Sequence, residues 1–372
     1  MDPNVLRIAM GAAAPTGPEY KLYTFGLNNF GQLGDGTTTS RNSPVQIGAG
    51  SSWTAAGVGH RFTLAVKDTG SLWSWGVGSN GELGLGNTTN YSSPKQVGAL
   101  TNWSKVYGGT AFSVAIKTDG TLWTWGSPND GRLGFVAATS YVTSPTQVGS
   151  LTNWSIAAPG QNFCAAIKTD GTLWVWGSNS YGKLGLGNTT NYSSPKQVGT
   201  ATNWSSVSCG ENHTMAVKTN GTLWAIGGYN GQGGLGLGNT TNYSSPVQVG
   251  SDTNWSRVSC HSYGTIALKT NGTIWGWGGN AFGQLGLGDT TDRSSPVQIG
   301  SLTTWSKIAT GQISTLAIKT DGTLWSWGWN AYGQLGLGNT TDRSSPVQVG
   351  SLATWLSVSS NQSSYHTGAT LE

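Results

Sequence analysis

The residues best suited to catalysis or metal binding are few in this sequence of 372 residues, and they do not recur at equivalent positions. Each histidine follows a tryptophan at a different distance, seven residues for His60, nine for His213, six for His261 and eleven for His366. Imidazoles that share a metal ion or a proton must converge, and these offsets place them at different heights of the fold. We therefore expect no metal site, no histidine-based catalytic centre and no cofactor.

The three cysteines are expected to be packing residues. Cys209 and Cys260 each lie five residues after a tryptophan and so occupy equivalent positions, whereas Cys164 stands apart. The residues at that position in the other repeats are Val58, Gly108, Pro159, Thr310 and Ser360. A zinc site would need further ligands there, and an odd number of cysteines argues against a disulfide framework. Small buried thiols are the simpler interpretation.

No sequence motif indicates an enzyme. Asp119, Asp170 and Asp321 fall in predicted turns, and no carboxylate pair is flanked by apolar residues as a general acid and base would be. The chain contains no phosphate-binding loop, no HExxH and no GxSxG. Its glycine-rich GQLGLG segments are not followed by a predicted helix, which a nucleotide-binding loop requires. A non-enzymatic protein is therefore predicted.

The composition favours an all-β protein. Charged residues make up 9% of the chain, against about 25% in typical soluble proteins, while glycine supplies 58 residues and tryptophan 19. Such a composition suits strands and tight turns rather than long helices. The net charge of +4 arises without a run of like charges, so no nucleic-acid partner is expected. No apolar stretch reaches the length of a membrane-spanning helix.

An internal repeat determines the predicted architecture. The motif exemplified by LWSWG ends at glycines that are spaced by 50 or 51 residues. Its seven copies end at Gly26, Gly76, Gly126, Gly177, Gly227, Gly278 and Gly328. A proline in SPxQ(V/I)G and a lone tryptophan recur with the same period, from Pro44 to Pro346 and from Trp53 to Trp355. Three independent markers agree on seven units.

Each unit is predicted to form four short strands, at segments such as WSKIATG, TLAIK, LWSWG and PVQVG. The second and third strands are joined by Asn-Gly or Asp-Gly, for which we expect a two-residue turn with positive φ at both residues. One such sheet per unit predicts an all-β closed seven-bladed β-propeller with four antiparallel strands per blade. The chain starts at a third strand and stops after a second one, so one blade must combine strands from both termini.

The unit GxxxxxxAxKxDGxLWxWGxNxxGQLGLG…SPxQVG resembles the repeat of the regulator of chromosome condensation family. The match covers residues 21–366, although the third unit has GRLGFVAATSY and the fifth has GQGGLGLG in place of the common loop. The resemblance implies the seven-bladed fold and the split blade. Members of the family include guanine-nucleotide exchange factors, chromatin-binding proteins and β-lactamase inhibitors, so the resemblance does not imply one function.

Two segments of the chain are distinguished. Residues 21–372 are expected to form a single propeller. Residues 1–20 contain the apolar run VLRIAMGAAA and are expected to be an anchor or a contact with a larger assembly. A weak secretory signal or an N-terminal strand would fit the same run.

Binding is expected on the face that carries the loops between third and fourth strands. The residue three before each repeat proline varies between Arg, Tyr and Val, while its surroundings repeat. Tyr and Arg are favoured at binding hot spots, although each Tyr could equally pack on a neighbouring loop. Trp329 stands outside the repeat on this face, which also carries Phe30, Tyr181, Phe282 and Tyr332. The candidate binding residues are Arg41, Tyr91, Tyr192, Tyr243, Arg293, Arg343 and Trp329.

A secondary candidate surface lies on the opposite face, where six lysines end the second strands. They are Lys67, Lys117, Lys168, Lys218, Lys269 and Lys319. A ring of lysines could attract an anionic partner. The simpler interpretation is that each lysine protects a strand end and neutralises the nearby turn carboxylate.

The expected function is binding of a protein or glycan by an interaction or structural module. Nearly uniform units, low charge and an abundance of Asn, Thr and Ser suit a scaffold displayed on a cell or particle surface. The purity of the repeat resembles propellers of bacteria and their viruses, and a phage virion component would fit. An inhibitor that plugs an enzyme cleft is the alternative. A guanine-nucleotide exchange factor is disfavoured because no insertion interrupts the blades.

Overall fold

Seven antiparallel four-stranded sheets form a closed ring in the computed structural model, which describes residues 19–137, 140–228 and 230–371. Each sheet is one blade, and its first strand lines the central channel while its fourth lies at the outer rim. The prediction of an all-β seven-bladed propeller is confirmed. Within the described ranges, no helix is long and apolar enough to cross a membrane.

The strands are five to seven residues long. In chain order they are β1 (Lys21–Gly26), β2 (Arg41–Ile47), β3 (Trp53–Val58), β4 (Phe62–Lys67), β5 (Leu72–Gly76), β6 (Tyr91–Gln96), β7 (Trp103–Gly108), β8 (Phe112–Lys117), β9 (Leu122–Gly126), β10 (Val142–Gln147), β11 (Trp154–Pro159), β12 (Phe163–Lys168), β13 (Leu173–Gly177) and β14 (Tyr192–Gln197). They continue with β15 (Trp204–Cys209), β16 (His213–Lys218), β17 (Leu223–Gly227), β18 (Tyr243–Gln248), β19 (Trp255–Cys260), β20 (Gly264–Lys269), β21 (Ile274–Gly278), β22 (Arg293–Gln298), β23 (Trp305–Thr310), β24 (Ser314–Lys319), β25 (Leu324–Gly328), β26 (Arg343–Gln348), β27 (Trp355–Ser359) and β28 (His366–Leu371).

Blades 1 to 6 follow the chain in order and consist of β3–β6, β7–β10, β11–β14, β15–β18, β19–β22 and β23–β26. Blade 7 combines β27 and β28 with β1 and β2. Single 3-10 turns at Asn129–Gly131 and Ser180–Gly182 lie in the long loops of blades 2 and 3.

The two ends of the propeller pair with each other in blade 7. β1 runs antiparallel to β28, with Leu22 opposite Thr370 and Phe25 opposite Thr367, and β2 pairs with the other side of β1. Leu22 and Phe25 are fully buried at this seam. The predicted split blade is confirmed, and the pairing removes the strand edges that an open ring would expose.

The core of each blade is built around tryptophans. The lone tryptophan that begins each first strand is 1–4% exposed. In blade 2, Trp103 meets Trp125 edge-on with ring centroids 6.2 Å apart, and Trp125 is fully buried. Trp123, on the opposite side of the same strand, is only partly buried and lies 5.9 Å from Trp103. Such edge-to-face pairs add about 0.5–1.5 kcal/mol to the burial of the rings, so core packing explains most tryptophans.

The long loops hold neighbouring blades together. The Gly36 N–H of blade 7 donates to Ser92 O of blade 1 at 2.8 Å, and an equivalent bond joins Gly338 to Asn42 O at 2.7 Å. A Cβ atom on Gly31 would lie 2.4 Å from Ser92 Cα, and Gly31 has a φ of +78°. Close approach and backbone conformation therefore both require the repeated glycine of the GQLG segment.

The turns between second and third strands differ from the predicted two-residue type. In blade 2, Gly120 N–H donates to Lys117 O and Lys117 N–H donates to Thr121 O, both at 3.0 Å, so the loop has three residues. Gly120 has a φ of +77°, whereas Asp119 does not adopt positive φ. The Asp119 carboxylate instead accepts the Thr121 N–H at 3.0 Å and its hydroxyl at 2.6 Å. This side-chain cap stabilises a three-residue loop that ends in a left-handed glycine.

The fourth strands begin earlier than predicted. In blade 1, β6 starts at Tyr91, three residues before Pro94, and Tyr91 pairs with Gly76. The register shifts between Ser74 and Gly76, so the proline lies beside a bulge, where the lack of an N–H is tolerated. The candidate Tyr and Arg residues are therefore strand starts rather than parts of free loops.

Candidate binding surface

The two faces of the ring carry different connections. On one face, called here the long-loop face, lie the loops that follow the first and third strands of each blade. The opposite face carries the glycine turns and the connections between blades. This distribution follows from antiparallel pairing of successive strands, and it agrees with the sequence-based expectation.

The mouth of the channel on the long-loop face is covered by residues 360–365, which follow the first strand of blade 7. Asn361 Nδ2 donates to Gly108 O of blade 2 at 2.5 Å. The Ser262 hydroxyl of blade 5 donates to Gln362 O at 2.7 Å. Buried, uncharged side chains of this segment, from Asn361 to Ser364, therefore fill the mouth of the channel.

Four aromatic side chains form one contiguous group on the long-loop face, called here the aromatic cluster. The ring centroid of Trp329 lies 5.1 Å from Tyr365, 5.3 Å from Tyr332 and 6.0 Å from Phe282. Tyr332 and Tyr365 are 5.8 Å apart. Phe282 and Tyr332 are each 40% exposed. The rings come from blades 5, 6 and 7, and their mutual packing makes the cluster both ordered and accessible.

The backbone places Trp329 at a regular position of the repeat. Its N–H donates to Ile313 O at 2.9 Å, just as Val77 N–H donates to Arg61 O at 2.8 Å in blade 1. The residues at this position in the other blades include Leu27, Val77, Ser127, Ser178, Gly228 and Gly279. The backbone at Trp329 is therefore the same as in other blades, and only the large aromatic side chain differs.

His60 and Arg61 extend the surface into blade 1. The His60 ring lies 6.4 Å from Tyr365, and the Arg61 guanidinium carbon lies 5.0 Å from the centroid of Phe30. Burial, assisted by the charge of Arg61, lowers the pKa of His60 to about 4, so its imidazole is neutral at pH 7. Burial and the neighbouring Tyr332 raise the pKa of Tyr365. The surface therefore combines apolar rings with a cation held on a ring face.

The candidate Tyr and Arg residues start the fourth strands of six blades, blade 2 having Val142 there, and lie on the outer rim, so the fold does not bring them together. Each contacts its own long loop. Asn87 Nδ2 lies 3.4 Å from Tyr91 Oη, and Arg293 forms an ion pair of 2.6 Å with Asp289. Comparable contacts occur at Tyr192, Tyr243 and Arg41. The loop partner changes with the residue, so the switch between Tyr and Arg does not by itself indicate binding.

The six lysines of the opposite face are packed on tryptophan rings. In blade 2 the Lys117 ammonium lies 3.7 Å from the centroid of Trp123 and 4.7 Å from that of Trp103. The same arrangement recurs at Lys67, Lys168, Lys218, Lys269 and Lys319. Lys117 is 6% exposed, and burial lowers its pKa against the opposing effect of Asp119. These cations offer less charged surface than free ammonium groups would.

Three histidines are buried at separate blade junctions. His213, His261 and His366 are 1–4% exposed. Each Nε2 lies near a threonine hydroxyl of the following blade, at 3.3 Å from Thr265, 2.7 Å from Thr315 and 3.0 Å from Thr63, respectively. Burial lowers their pKa values to about 4, 3 and 3 in the same order. They are therefore neutral packing residues that hydrogen-bond across junctions.

The three cysteines are free and buried, as predicted. Burial raises the pKa of Cys260 to about 12, so this thiol stays protonated at neutral pH. Cys260 Sγ lies 3.4 Å from Ser208 O of the preceding blade. Cys209 and Cys260 fill space at the ends of first strands, and Cys164 does so in the second strand of blade 3.

Sequence reasoning identified Trp329, Phe282 and Tyr332 on this face but missed Tyr365 and Arg61. A signal for Tyr365 was available, because the loop before β28 is longer than its counterparts: β27 ends at Ser359 and β28 begins at His366. Arg61 carries no such signal. Its role depends on ring closure, which brings blade 1 beside blade 7.

Comparison with known proteins identifies relatives of the whole propeller. The model of the RCC1-like domain matches residues 151–371, and that of the regulator of chromosome condensation (RCC1) repeat matches residues 21–66, 69–116 and 119–167. Human WBSCR16 is 20% identical with a TM-score of 0.85, covering 95% of this chain and 99% of that one. Prp20p from Saccharomyces cerevisiae is 18% identical with a TM-score of 0.83, covering 95% and 91%. At these identities the solved structures establish a shared fold alone.

Proposed function

Because the chain belongs to the family of RCC1-like domains, we propose that it is a non-enzymatic protein-binding propeller whose long-loop face holds the partner. The centre of the contact is the aromatic cluster of Phe282, Trp329, Tyr332 and Tyr365. The observation that carries this proposal is the packing of four rings from three blades, with Trp329 within 6.0 Å of the other three. Aromatic residues and arginine dominate the energetics of protein interfaces.

The scaffold favours binding because its side chains are ordered before the partner arrives. Rings that already pack on each other lose little conformational freedom on association. The β23–β24 loop joins the loops of Tyr365 and Trp329, since Gln312 N–H donates to Ser364 O at 3.1 Å and Trp329 N–H donates to Ile313 O at 2.9 Å. Each residue that acts as a hot spot is expected to contribute at least ~2 kcal/mol.

The names of related structures support a protein as the partner. One structure of Prp20p is described with its binding to Gsp1p and histones, and another shows Kap60 bound to it. From these we infer only the class of partner. Guanine-nucleotide exchange is not part of the proposal, because the loops between third and fourth strands differ in length by no more than one residue from blade to blade.

The proposal includes display on a particle or cell surface, with a virion of a bacterial virus as the favoured location. Support comes from the composition, with 9% charged residues, and from the near-identity of the repeats. Mass spectrometry of purified particles checks this part: presence of the chain in stoichiometric amounts supports it, and recovery only from the soluble cell interior contradicts it.

The binding face is tested with the double variant Trp329→Ser/Tyr332→Ser against Tyr181→Ser. Tyr181 is the matched control because it occupies the position of Tyr332 in blade 3 and is 45% exposed. A partner captured by the wild-type protein is purified, and its affinity is measured by calorimetry. The double variant should weaken binding at least ~30-fold, the equivalent of ~2 kcal/mol, while Tyr181→Ser leaves it unchanged. Equal affinity for all three proteins would reject the proposal.

A further inference from the structure

Arg61 is an exposed cation beside the aromatic cluster. It lies in the loop between β3 and β4 and acts electrostatically on both His60 and Tyr365. Its guanidinium lies over the Phe30 ring at 5.0 Å, an arrangement that orients the group without neutralising its charge. In the described part of the chain, Arg61 forms no salt bridge. The Arg61 guanidinium can therefore form an ion pair with a partner.

Several carboxylates of the long-loop face are already engaged away from Arg61, and Glu211 acts electrostatically on Lys183 instead. Asp35 pairs with Arg41 at 2.7 Å, and Asp289 pairs with Arg293 at 2.6 Å, both at the outer rim. Glu82 is 1% exposed and accepts the Asn80 N–H at 2.6 Å. His60, the neighbouring imidazole, is neutral at pH 7. Beside the aromatic cluster, Arg61 therefore carries a positive charge that no described salt bridge neutralises.

The geometry of the aromatic cluster selects an apolar group rather than a second cation. A cage for an ammonium ion needs rings that stand apart, so that the ion approaches each face. Here the centroids of Trp329, Tyr332 and Tyr365 are only 5.1–5.8 Å apart, which is direct ring-to-ring contact. No cation fits between them. Their outer surfaces instead offer apolar area next to the Arg61 guanidinium.

We propose that the partner is a protein segment that presents an apolar side chain next to a carboxylate. The apolar side chain packs on the aromatic cluster, and the carboxylate pairs with Arg61. This inference rests on the proposed function, because it names the chemistry of the partner for the same face. A planar guanidinium suits a carboxylate, with which it forms two parallel hydrogen bonds.

The test uses a random dodecapeptide library displayed on yeast and selected with the wild-type protein. Selected peptides are synthesised with a fluorescent label, and their affinities are measured by anisotropy for the wild type, Arg61→Glu, Arg343→Glu and Trp329→Leu. Arg343 is the matched control, because it lies on the rim and the only described hydrogen bond of its side chain is a 3.4 Å contact with Asp342 O. Melting temperatures verify that each variant is folded.

The expected result is enrichment of peptides that combine Asp or Glu with a large apolar residue. The affinity for these peptides should fall at least tenfold in Arg61→Glu and less than twofold in Arg343→Glu. Loss of binding with Trp329→Leu but not with Arg61→Glu would overturn this inference and leave the proposed function intact. Binding unaffected by either variant would overturn both. The inference would also be overturned if no peptide bound with a Kd below 1 mM while an oligosaccharide that ends in a carboxylate sugar bound through Arg61. The partner would then be a glycan.

Discussion

At the level of single residues, a junction between blades accepts a new side chain when its neighbour changes as well. A Cβ atom on Gly59 would lie 2.2 Å from the Phe62 ring, so blade 1 needs glycine there. Blade 5 has the reverse pair, with His261 at the glycine position and Gly264 at the phenylalanine position. The exchange of the two positions keeps the junction filled, as volume-conserving core changes do. It also introduces a titratable imidazole.

The first prediction concerns His213, which occupies the position held by Phe62, Phe112 and Phe163 in other blades. Its folded pKa of about 4 lies below the ordinary value of 6.5, so the unfolded state binds more protons and stability falls as pH drops from 6.5 to 4. Once the pH has fallen to 4, protonation of the unfolded state at this residue lowers the free energy of unfolding by about 3 kcal/mol. His213→Phe should remove that loss.

Urea titrations at pH 7 and pH 4 measure the effect. Phe112→His provides the converse variant, and it should add acid sensitivity at the junction after blade 2. If His213→Phe and the wild type lose equal stability between the two pH values, His213 is not held neutral by burial.

At the level of elements, the connections between strands hold neighbouring blades together, and their glycines have two different roles. Gly283 has a φ of +75°, and a Cβ atom there would lie 2.5 Å from Ser344 Cα in the next blade. Gly300, in the connection from β22 to β23, has a similar φ of +61°, but a Cβ atom would meet nothing within 4 Å. The second glycine therefore serves backbone conformation alone, whereas the first also permits contact between blades.

The second prediction compares Gly283→Ala with Gly300→Ala. Both should lose about 1–2 kcal/mol because alanine resists positive φ. Gly283→Ala should lose a further ~1–3 kcal/mol because the methyl group collides with the neighbouring backbone. The free energy of unfolding from denaturant titration gives the comparison. Equal losses at the two sites would show that the contact between Gly283 and Ser344 accepts a methyl group without a further loss in the free energy of unfolding.

The turns show what local sequence could and could not predict. Asp119-Gly120 predicted the position of the hairpin and the left-handed glycine correctly. It did not predict the loop length, because the two-residue turn and the three-residue loop both end in Gly. The three-residue loop is stabilised when the Asp119 carboxylate accepts hydrogen bonds from the Thr121 N–H and hydroxyl. Thr121 lies outside the Asp-Gly pair from which the turn was predicted.

At the level of the whole molecule, the sequence predicted the ring but only part of the candidate site. Seven copies of three markers set the number of blades, and the phase of the termini set the pairing of Leu22 with Thr370. Trp329 was recognisable because it departs from the repeat. Its contacts with Tyr365, and the approach of Arg61, arise from the curvature and closure of the ring, which no single unit encodes.

Hydrogen exchange of the propeller with and without its purified partner tests the central claim, that the long-loop face binds through the aromatic cluster. Slower exchange is expected in peptides that contain residues 60–61, 329–332 and 365, with no change at the glycine turns of the opposite face. Protection confined to those turns, around Asp119–Gly120 and its equivalents, would contradict the claim and move the binding site to the lysine-bearing face.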